Sequence, residues 1–378
     1  VARKKKKRLS LSSQLNLCFY HATVGALARI RPPRPRRPQL TPASRVLVFS
    51  SAGLGDSLLD SPAFRALDDS FPGIHIEAVA HHRRPDISSH NPLIKKLHLL
   101  RKGPPAFFRL LRDLRASGPW DAILYLSCLD PEARSLGYLL SPDVTIGLAW
   151  RTEMPHLCAW NIDEPGLRAG HISHHALRTV AVCGAQTAYP RMIYDVSQTD
   201  RDALDTRLAE LGHPLCPRVI FQLGGGGAAF RDWPVEHFAA LARELHALNI
   251  GPIFLLGGPD HKKKSDTLVA LLPEIPLVNV TGQLKLPLSA ALIERATCLV
   301  STDTGIMHLG FALGTSTVAL LHCQPGRSVV GPLADLEKHE VLELTRPAVY
   351  NSPADAPMSA LQPDRVLSAI LKVLARAA

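Results

Sequence analysis

The sequence predicts two doubly wound α/β domains preceded by a basic tail. Three observations carry this expectation. Short β-branched runs alternate with amphipathic stretches from Arg45 onward, the alternation restarts in the second half, and each half holds a strand that runs into glycines ahead of a helix. With 378 residues, 46% of them apolar and 20% charged, the chain is long enough to bury two ordinary cores.

In the first half the pattern predicts strands at 46–50, 74–80, 96–100, 122–127 and 144–148, with helices over 63–70, 106–116 and 132–140. The second half predicts strands at 219–223, 253–256, 277–280, 298–301 and 317–321, separated by helices over 235–247, 262–272 and 288–296. A proline and a polar stretch near 190–200 precede a helix-like segment at 203–211, which divides the chain into a tail at 1–44, a first domain at 45–195 and a second at 196–378. Pro363 suits the first turn of a terminal helix whose Val366, Leu367, Ile370, Leu371 and Leu374 share one face. In a two-domain protein such a helix is expected to cross back onto the first domain.

Charge is unevenly placed. Residues 1–45 contain twelve Lys or Arg and no acid, whereas the whole chain is +10, so the remainder is net −2. A folded body without excess positive charge argues against nucleic acid as a partner. The seven cysteines, at 18, 128, 158, 183, 216, 298 and 323, form no CxxC pair, so neither a zinc ribbon nor a disulfide framework is suggested and a reducing, cytoplasmic location fits. In the tail, Leu11, Leu15, Cys18, Phe19, Ala22, Ala26, Leu27 and Ile30 share one helical face between two basic clusters. Ser10, Ser12, Ser13, Gln14, Asn16 and His21 make the stretch too polar to span a membrane. Two readings stay open: an interfacial helix on the inner face of an anionic membrane, or a disordered Pro-rich leader. Under either, a chain starting at Thr41 is expected to keep its fold.

Three segments carry chemistry. In the first, the strand ending at Ser50 enters a turn with Gly53, Gly55 and Asp56, where the glycines allow a tight turn at the carboxyl end of the sheet. The pattern is not a dinucleotide fingerprint, because the third glycine is missing and the second strand leads into His81 and His82 rather than an acid. At a helix N-terminus Asp56 can stay ionised as a general base, or serve as an ordinary cap. In the second segment, a strand ends in Gly224, Gly225, Gly226 and Gly227, followed by Arg231-Asp-Trp-Pro234. Consecutive glycine amides suit a diphosphate and Arg231 a charge beside it, although a loop without a ligand fits too. In the third, a strand ends in Asp303-Thr304-Gly305 and leads into a helix carrying His308. The Thr304 and Gly305 amides and the Thr304 hydroxyl offer donors to a phosphate oxygen, while Asp303 as a cap and His308 as a core histidine are the plainer alternatives.

Taken together, the three segments resemble glycosyltransferase family 9, the heptosyltransferases of the GT-B type. The resemblance rests on Gly55-Asp56 followed by Pro62, Arg231-Asp-Trp-Pro234, Gly257-Gly-Pro-Asp260 and Asp303-Thr-Gly-Ile-Met-His308, and it spans Arg45 to about Pro332. It implies a GT-B fold, two Rossmann-like domains facing each other across a cleft, and an inverting transfer of sugar, with ADP-heptose as the implied donor and a lipopolysaccharide-core or related lipid-linked glycan as acceptor. A catalytically silent nucleotide-sugar-binding protein of the same fold and, less favoured for want of the fingerprint, a nucleotide-cofactor oxidoreductase are the alternatives. It implies no cofactor. Asp56 matches the family's catalytic base, with Gly53 and Gly55 on the acceptor side, and Arg231 matches the residue that neutralises the donor diphosphate. Gly224, Gly225 and Gly226 fall in the donor loop, Asp260 matches an acid on the ribose, and Asp303, Thr304, Gly305 and His308 match the motif that holds sugar and phosphates. Arg at 231 replaces the more familiar Lys and changes the geometry of the charge; Asp at 260 replaces Glu and shortens its reach. No DxD motif ends a strand beside these loops, so no divalent metal is expected. His171-Ile-Ser-His-His175 lacks a nearby acid or thiol cluster and is not expected to bind one. Lys262-Lys-Lys264 reads as a solvated helix face.

Overall fold

The computed structural model describes residues 18–377 apart from 21, 153, 214–216, 226 and 227. The first six-stranded sheet comprises β1 (Arg45–Phe49), β2 (His75–His81), β3 (Ile94–Leu100), β4 (Ala122–Tyr125), β5 (Thr145–Leu148) and β6 (Trp160–Ile162), in the order β3-β2-β1-β4-β5-β6. The second comprises β7 (Val219–Gln222), β8 (Ile253–Leu256), β9 (Leu277–Asn279), β10 (Cys298–Thr302), β11 (Thr317–Leu321) and β12 (Glu340–Glu343), in the order β12-β11-β10-β7-β8-β9. Read from opposite edges, the two orders are the same, and the paired strands run parallel. Each sheet reverses its winding beside its first strand, between β1 and β4 and between β7 and β10. In open α/β sheets the crevice outside the strands' carboxyl ends at that point receives ligands.

The ten strands expected from β-branched runs all form, whereas β6 and β12, each at one of the two edges of its sheet, escape that reading. Their sequences, Trp-Asn-Ile and Glu-Val-Leu-Glu, lack an apolar run because one edge of each borders water. The helix Leu54–Ser70 begins well ahead of the expected 63–70, since Gly55, Asp56 and the interior Pro62 disguise its first turns. Other helices fall near their expected places, including Val235–Ala247, Lys262–Leu271 and Leu286–Arg295.

The terminal helix Pro363–Arg376 does not return to the first domain. Its Val366, Ala369, Ile370, Val373 and Leu374 join one core with Phe238, Val300, Val318 and Leu320, so its apolar stripe covers the second sheet. Arg376 bonds the Glu337 carbonyl and pairs with Glu340 at 2.5 Å, which fixes the helix end beside β12.

The tail also departs from expectation. From Cys18 to Leu40 it lies on the first domain as an added layer, with Tyr20, Val24, Ala28 and Leu40 buried. The Tyr138 hydroxyl donates to the Arg31 carbonyl at 2.7 Å, Trp160 Nε1 donates to the Arg36 carbonyl at 3.2 Å, and the Arg36 amide donates to the Asp143 carbonyl at 2.9 Å. The described residues between 18 and 40 therefore pack on the first domain, and a chain starting at Thr41 would uncover Phe107 and Tyr138 of the core. Leu11, Leu15 and the basic run at 3–8 lie outside the described residues. No helix among the described residues is long and apolar enough to cross a membrane.

The domains meet through two helices that start at the crevices. Leu58 and Leu59 of helix Leu54–Ser70 share a core with Met307, Leu309 and Phe311 of helix Gly305–Leu313.

Candidate functional site

Between the domains lies a cavity of about 440 Å³ lined by residues of both sheets' loops. From the first domain come Gly53, Gly55, Asp56 and Arg84, and from the second Arg231, Asp303, Thr304, Gly305 and His308. Eight residues singled out in the sequence thus converge on one space, although they come from three segments far apart in the chain.

Asp56 stands in the first turn of its helix, where its Oδ2 accepts the Gly53 amide at 3.2 Å. It closes the helix end, as a cap would, and also faces the cavity. The two roles are compatible because a carboxylate has a second oxygen. Gly55 is needed for close approach rather than for open space: a Cβ there would stand 3.0 Å from His308 Cδ2 across the domain boundary. Gly305 is the reciprocal case, since its Cβ would overlap Leu54 Cδ2.

Opposite Asp56, Arg231 Nη1 lies 2.9 Å from Asp303 Oδ2. Asp303 is buried, and burial pushes its carboxyl above the usual range; Arg231 pulls it back down and nearby Asp56 pushes it further up. The ion pair leaves polar atoms of the same wall over: Arg231 Nε makes no hydrogen bond, and neither does His308 Nδ1. Two buried polar atoms of one cavity wall without partners suit a polar ligand. Burial, followed by His171 and Arg231, holds His308 down at about 3, so it is a neutral imidazole at pH 7. Thr304, not Asp303, caps the helix, its hydroxyl accepting the Met307 amide at 3.4 Å.

The glycine loop sits beside this wall and is held by its neighbours. Thr302 Oγ1 donates to the Gly224 carbonyl at 2.6 Å, and the Gly225 amide donates to Asp232 at 2.6 Å. Lys264 pairs with Asp232 at 2.5 Å. Lys262 and Lys263 are exposed, as expected of a solvated face, but Lys264 braces the loop. Gly226 and Gly227 lie outside the described residues. Asp260 does not line the cavity; it is exposed on the turn Pro259–His261, 3.5 Å from His261 Nε2. His261 fills the space over Gly224 and Gly257, where a Cβ on either glycine would collide with it.

The histidine cluster is structural. His171 Nδ1 accepts the Ser173 amide at 3.1 Å and Nε2 donates to the Gly331 carbonyl of the second domain at 2.8 Å, while burial holds its ring down at about 4. His175 takes a contact of 3.1 Å from Arg151 and donates to the Leu167 carbonyl at 2.7 Å. Beneath the first crevice, Asp60 accepts Ser50 Oγ at 2.7 Å and the Ser127 amide and hydroxyl at 2.9 Å each. Its complete burial raises it to about 6 despite those bonds.

Sequence reading missed Arg84, His261, Lys264 and Asp60. Arg84 had a visible signal, an Arg83-Arg84 pair just after β2 at the sheet's carboxyl edge. That position had been read only for an acid.

Two facing doubly wound domains with a shared polar cavity between them make the GT-B arrangement. The chain belongs to glycosyltransferase family 9 (heptosyltransferase), whose sequence model matches residues 136–343. It is 25% identical over 290 residues to lipopolysaccharide heptosyltransferase 3 of Escherichia coli, covering 70% of this chain and 80% of that protein. The fold is similar to the crystal structure of a family 9 glycosyltransferase from Veillonella parvula DSM 2008, with a TM-score of 0.76 at 20% identity, covering 90% of this chain and 100% of that one. It is also similar to E. coli ADP-heptose lps heptosyltransferase II, with a TM-score of 0.72 at 19% identity, covering 88% and 100%.

Proposed function

We propose that the chain transfers heptose from ADP-heptose to a lipopolysaccharide-core or related glycan, with inversion at the anomeric carbon. The observation that carries this reading is the placement of Asp56 on one side of a single cavity and the Arg231–Asp303 pair on the other. The donor diphosphate would lie toward Arg231, the glycine loop and the amides of Thr304 and Gly305. The acceptor would enter from the side of Gly53 and Asp56. Asp56 takes the proton from the acceptor hydroxyl as its oxygen attacks the anomeric carbon from the face opposite the leaving group. The bond from that carbon to the diphosphate oxygen breaks, its electrons leave with the nucleoside diphosphate, and Arg231 and the backbone donors stabilise the charge that grows there. No metal is required, because the guanidinium supplies the countercharge. The names of the family 9 relatives, including E. coli proteins described with lipopolysaccharide and ADP-heptose, support the choice of donor and acceptor.

A thermal-shift series with ADP-, GDP-, UDP- and dTDP-sugars tests the donor, since a ligand bound selectively by the folded state raises its stability. ADP-heptose should give the largest rise. A larger rise with another nucleotide would replace it, and none at all would remove the donor assignment.

A further inference from the structure

The N-terminal helical segment has two apolar faces, and the first domain uses one of them. Tyr20, Val24 and Ala28, each four residues from the next, are buried in a core with Phe107, Leu110 and Leu136. The stripe that the sequence marks as apolar, with Cys18, Phe19, Ala22, Leu27 and Ile30, faces outward, and Ile30 is 84% exposed. A neighbouring helix, Pro104–Ser117, extends this surface. Tyr20 packs on Phe107 at 4.9 Å between ring centroids, Phe107 on Phe108 at 5.5 Å, and Phe108 is 57% exposed. Around these apolar groups basic side chains outnumber the acids, of which Asp143 accepts the Arg34 amide at 2.8 Å. Arg109, Arg112 and Arg115 stand on the exposed side of the same helix, and Arg29, Arg31, Arg34, Arg36 and Arg37 are exposed along the tail. Residues 1–42 contain no acid, and Asp113 of the neighbouring helix is paired with Arg112 at 3.2 Å.

We propose that this two-helix surface docks the enzyme on an anionic lipid bilayer. Phe19, Leu27, Ile30 and Phe108 enter the boundary between headgroups and acyl chains, and the arginines meet lipid phosphates. A bilayer surface is the partner that satisfies both halves of the patch at once, because apolar material lies just beneath negative charge. A soluble polyanion would pair with the arginines and leave the four large apolar side chains in water. The position of the surface adds a consequence. Helix Pro104–Ser117 starts directly after β3, at the carboxyl edge of the first sheet, the same edge that carries Asp56 and Arg84. A lipid-linked acceptor would reach the cavity without leaving the membrane surface; that consequence rests on the proposed transfer, whereas docking itself does not.

The test is co-sedimentation of the full chain with vesicles, without donor or acceptor, so that it stands or falls apart from catalysis. Vesicles of equimolar phosphatidylcholine and phosphatidylglycerol should bind the chain about tenfold or more tightly than phosphatidylcholine alone. One variant combines Ile30→Glu with Phe108→Glu, and a second combines Arg109→Ala, Arg112→Ala and Arg115→Ala. All five positions are exposed, so melting temperatures should stay near that of the parent. Each variant should lose about tenfold or more of the binding to anionic vesicles. Parental binding by both variants, or equal binding to both vesicle types, would overturn the proposal. Refusal of anionic vesicles by a chain that binds single-stranded RNA would assign the patch to nucleic acid and overturn it as well.

Discussion

The loop after β1 in one sheet and the loops after β7 and β10 in the other flank the winding reversals of two sheets of the same strand order, β7 standing in the place of β1 and β10 in that of β4, yet they present different chemistry. The first offers Asp56, a half-buried acid bonded only to a backbone amide of its own turn among the described residues. The second offers a guanidinium and a buried carboxylate in an ion pair, next to an imidazole that burial keeps neutral. The scaffold is repeated and the chemistry is not. A base must stay available to a proton, whereas a diphosphate site must hold fixed charge away from water; the same crevice serves either need according to the residues that follow the strand.

Removing charge from the second side should lower activity strongly. Arg231→Ala is expected to lower kcat/KM by about 10²–10³, the usual loss when one fixed donor to developing negative charge is removed. Arg231→Lys should recover part of that loss, because the charge returns without the planar fork. Steady-state kinetics of the two variants check this, and equal activity of Arg231→Ala and the parent would place the diphosphate elsewhere.

The buried acid of the first side, Asp60, should show itself in stability rather than turnover. Folded it titrates at about 6, whereas unfolded it titrates near ~3.9. The folded state therefore holds this proton more tightly, and the stability it contributes is complete below ~pH 4 and lost as pH rises through the folded value, a fall of about 3 kcal/mol. Urea unfolding at several pH values should show that the difference between the parent and Asp60→Asn varies over this window. A constant difference would mean that Asp60 titrates normally.

A smaller effect is expected where the domains are tied by a hydrogen bond instead of a charge. His171→Leu leaves the Gly331 carbonyl and the Ser173 amide without their partner, and should cost about 1–3 kcal/mol of stability. Chemical denaturation measures it, and an unchanged midpoint would show that the bond contributes nothing. The smallest effect is none: EDTA should leave turnover unchanged if, as proposed, Arg231 takes the place of a cation. Loss of activity restored by Mg²⁺ would contradict that.

Much of this comparison was legible in the sequence. Strands with apolar runs and the loops carrying Gly55-Asp56, Arg231 and Asp303-Thr-Gly-Ile-Met-His308 are local patterns, and their residues line one cavity. Features that depend on contacts between distant segments were not legible. Lys264 looks like one of three solvated lysines until Asp232 is seen beside it, and Gly55 looks like a turn residue until His308 is found packed against it. The tail's apolar stripe is visible in the sequence as a pattern, but Tyr20, Val24 and Ala28, on another face, supply the contact with the core. Periodicity reports that a face is apolar, not which partner covers it.

The central claim, that the two sides divide into a base and a donor site, is tested most directly by Asp56→Asn. Asn keeps an oxygen for the Gly53 amide, so the helix end should survive. Nucleoside diphosphate release in the presence of acceptor and the donor-induced melting shift should be measured on the same sample. The account predicts a fall in release by about 10²–10⁴, with the melting shift retained. Near-normal release would reject Asp56 as the base, and loss of the melting shift together with release would make its role structural.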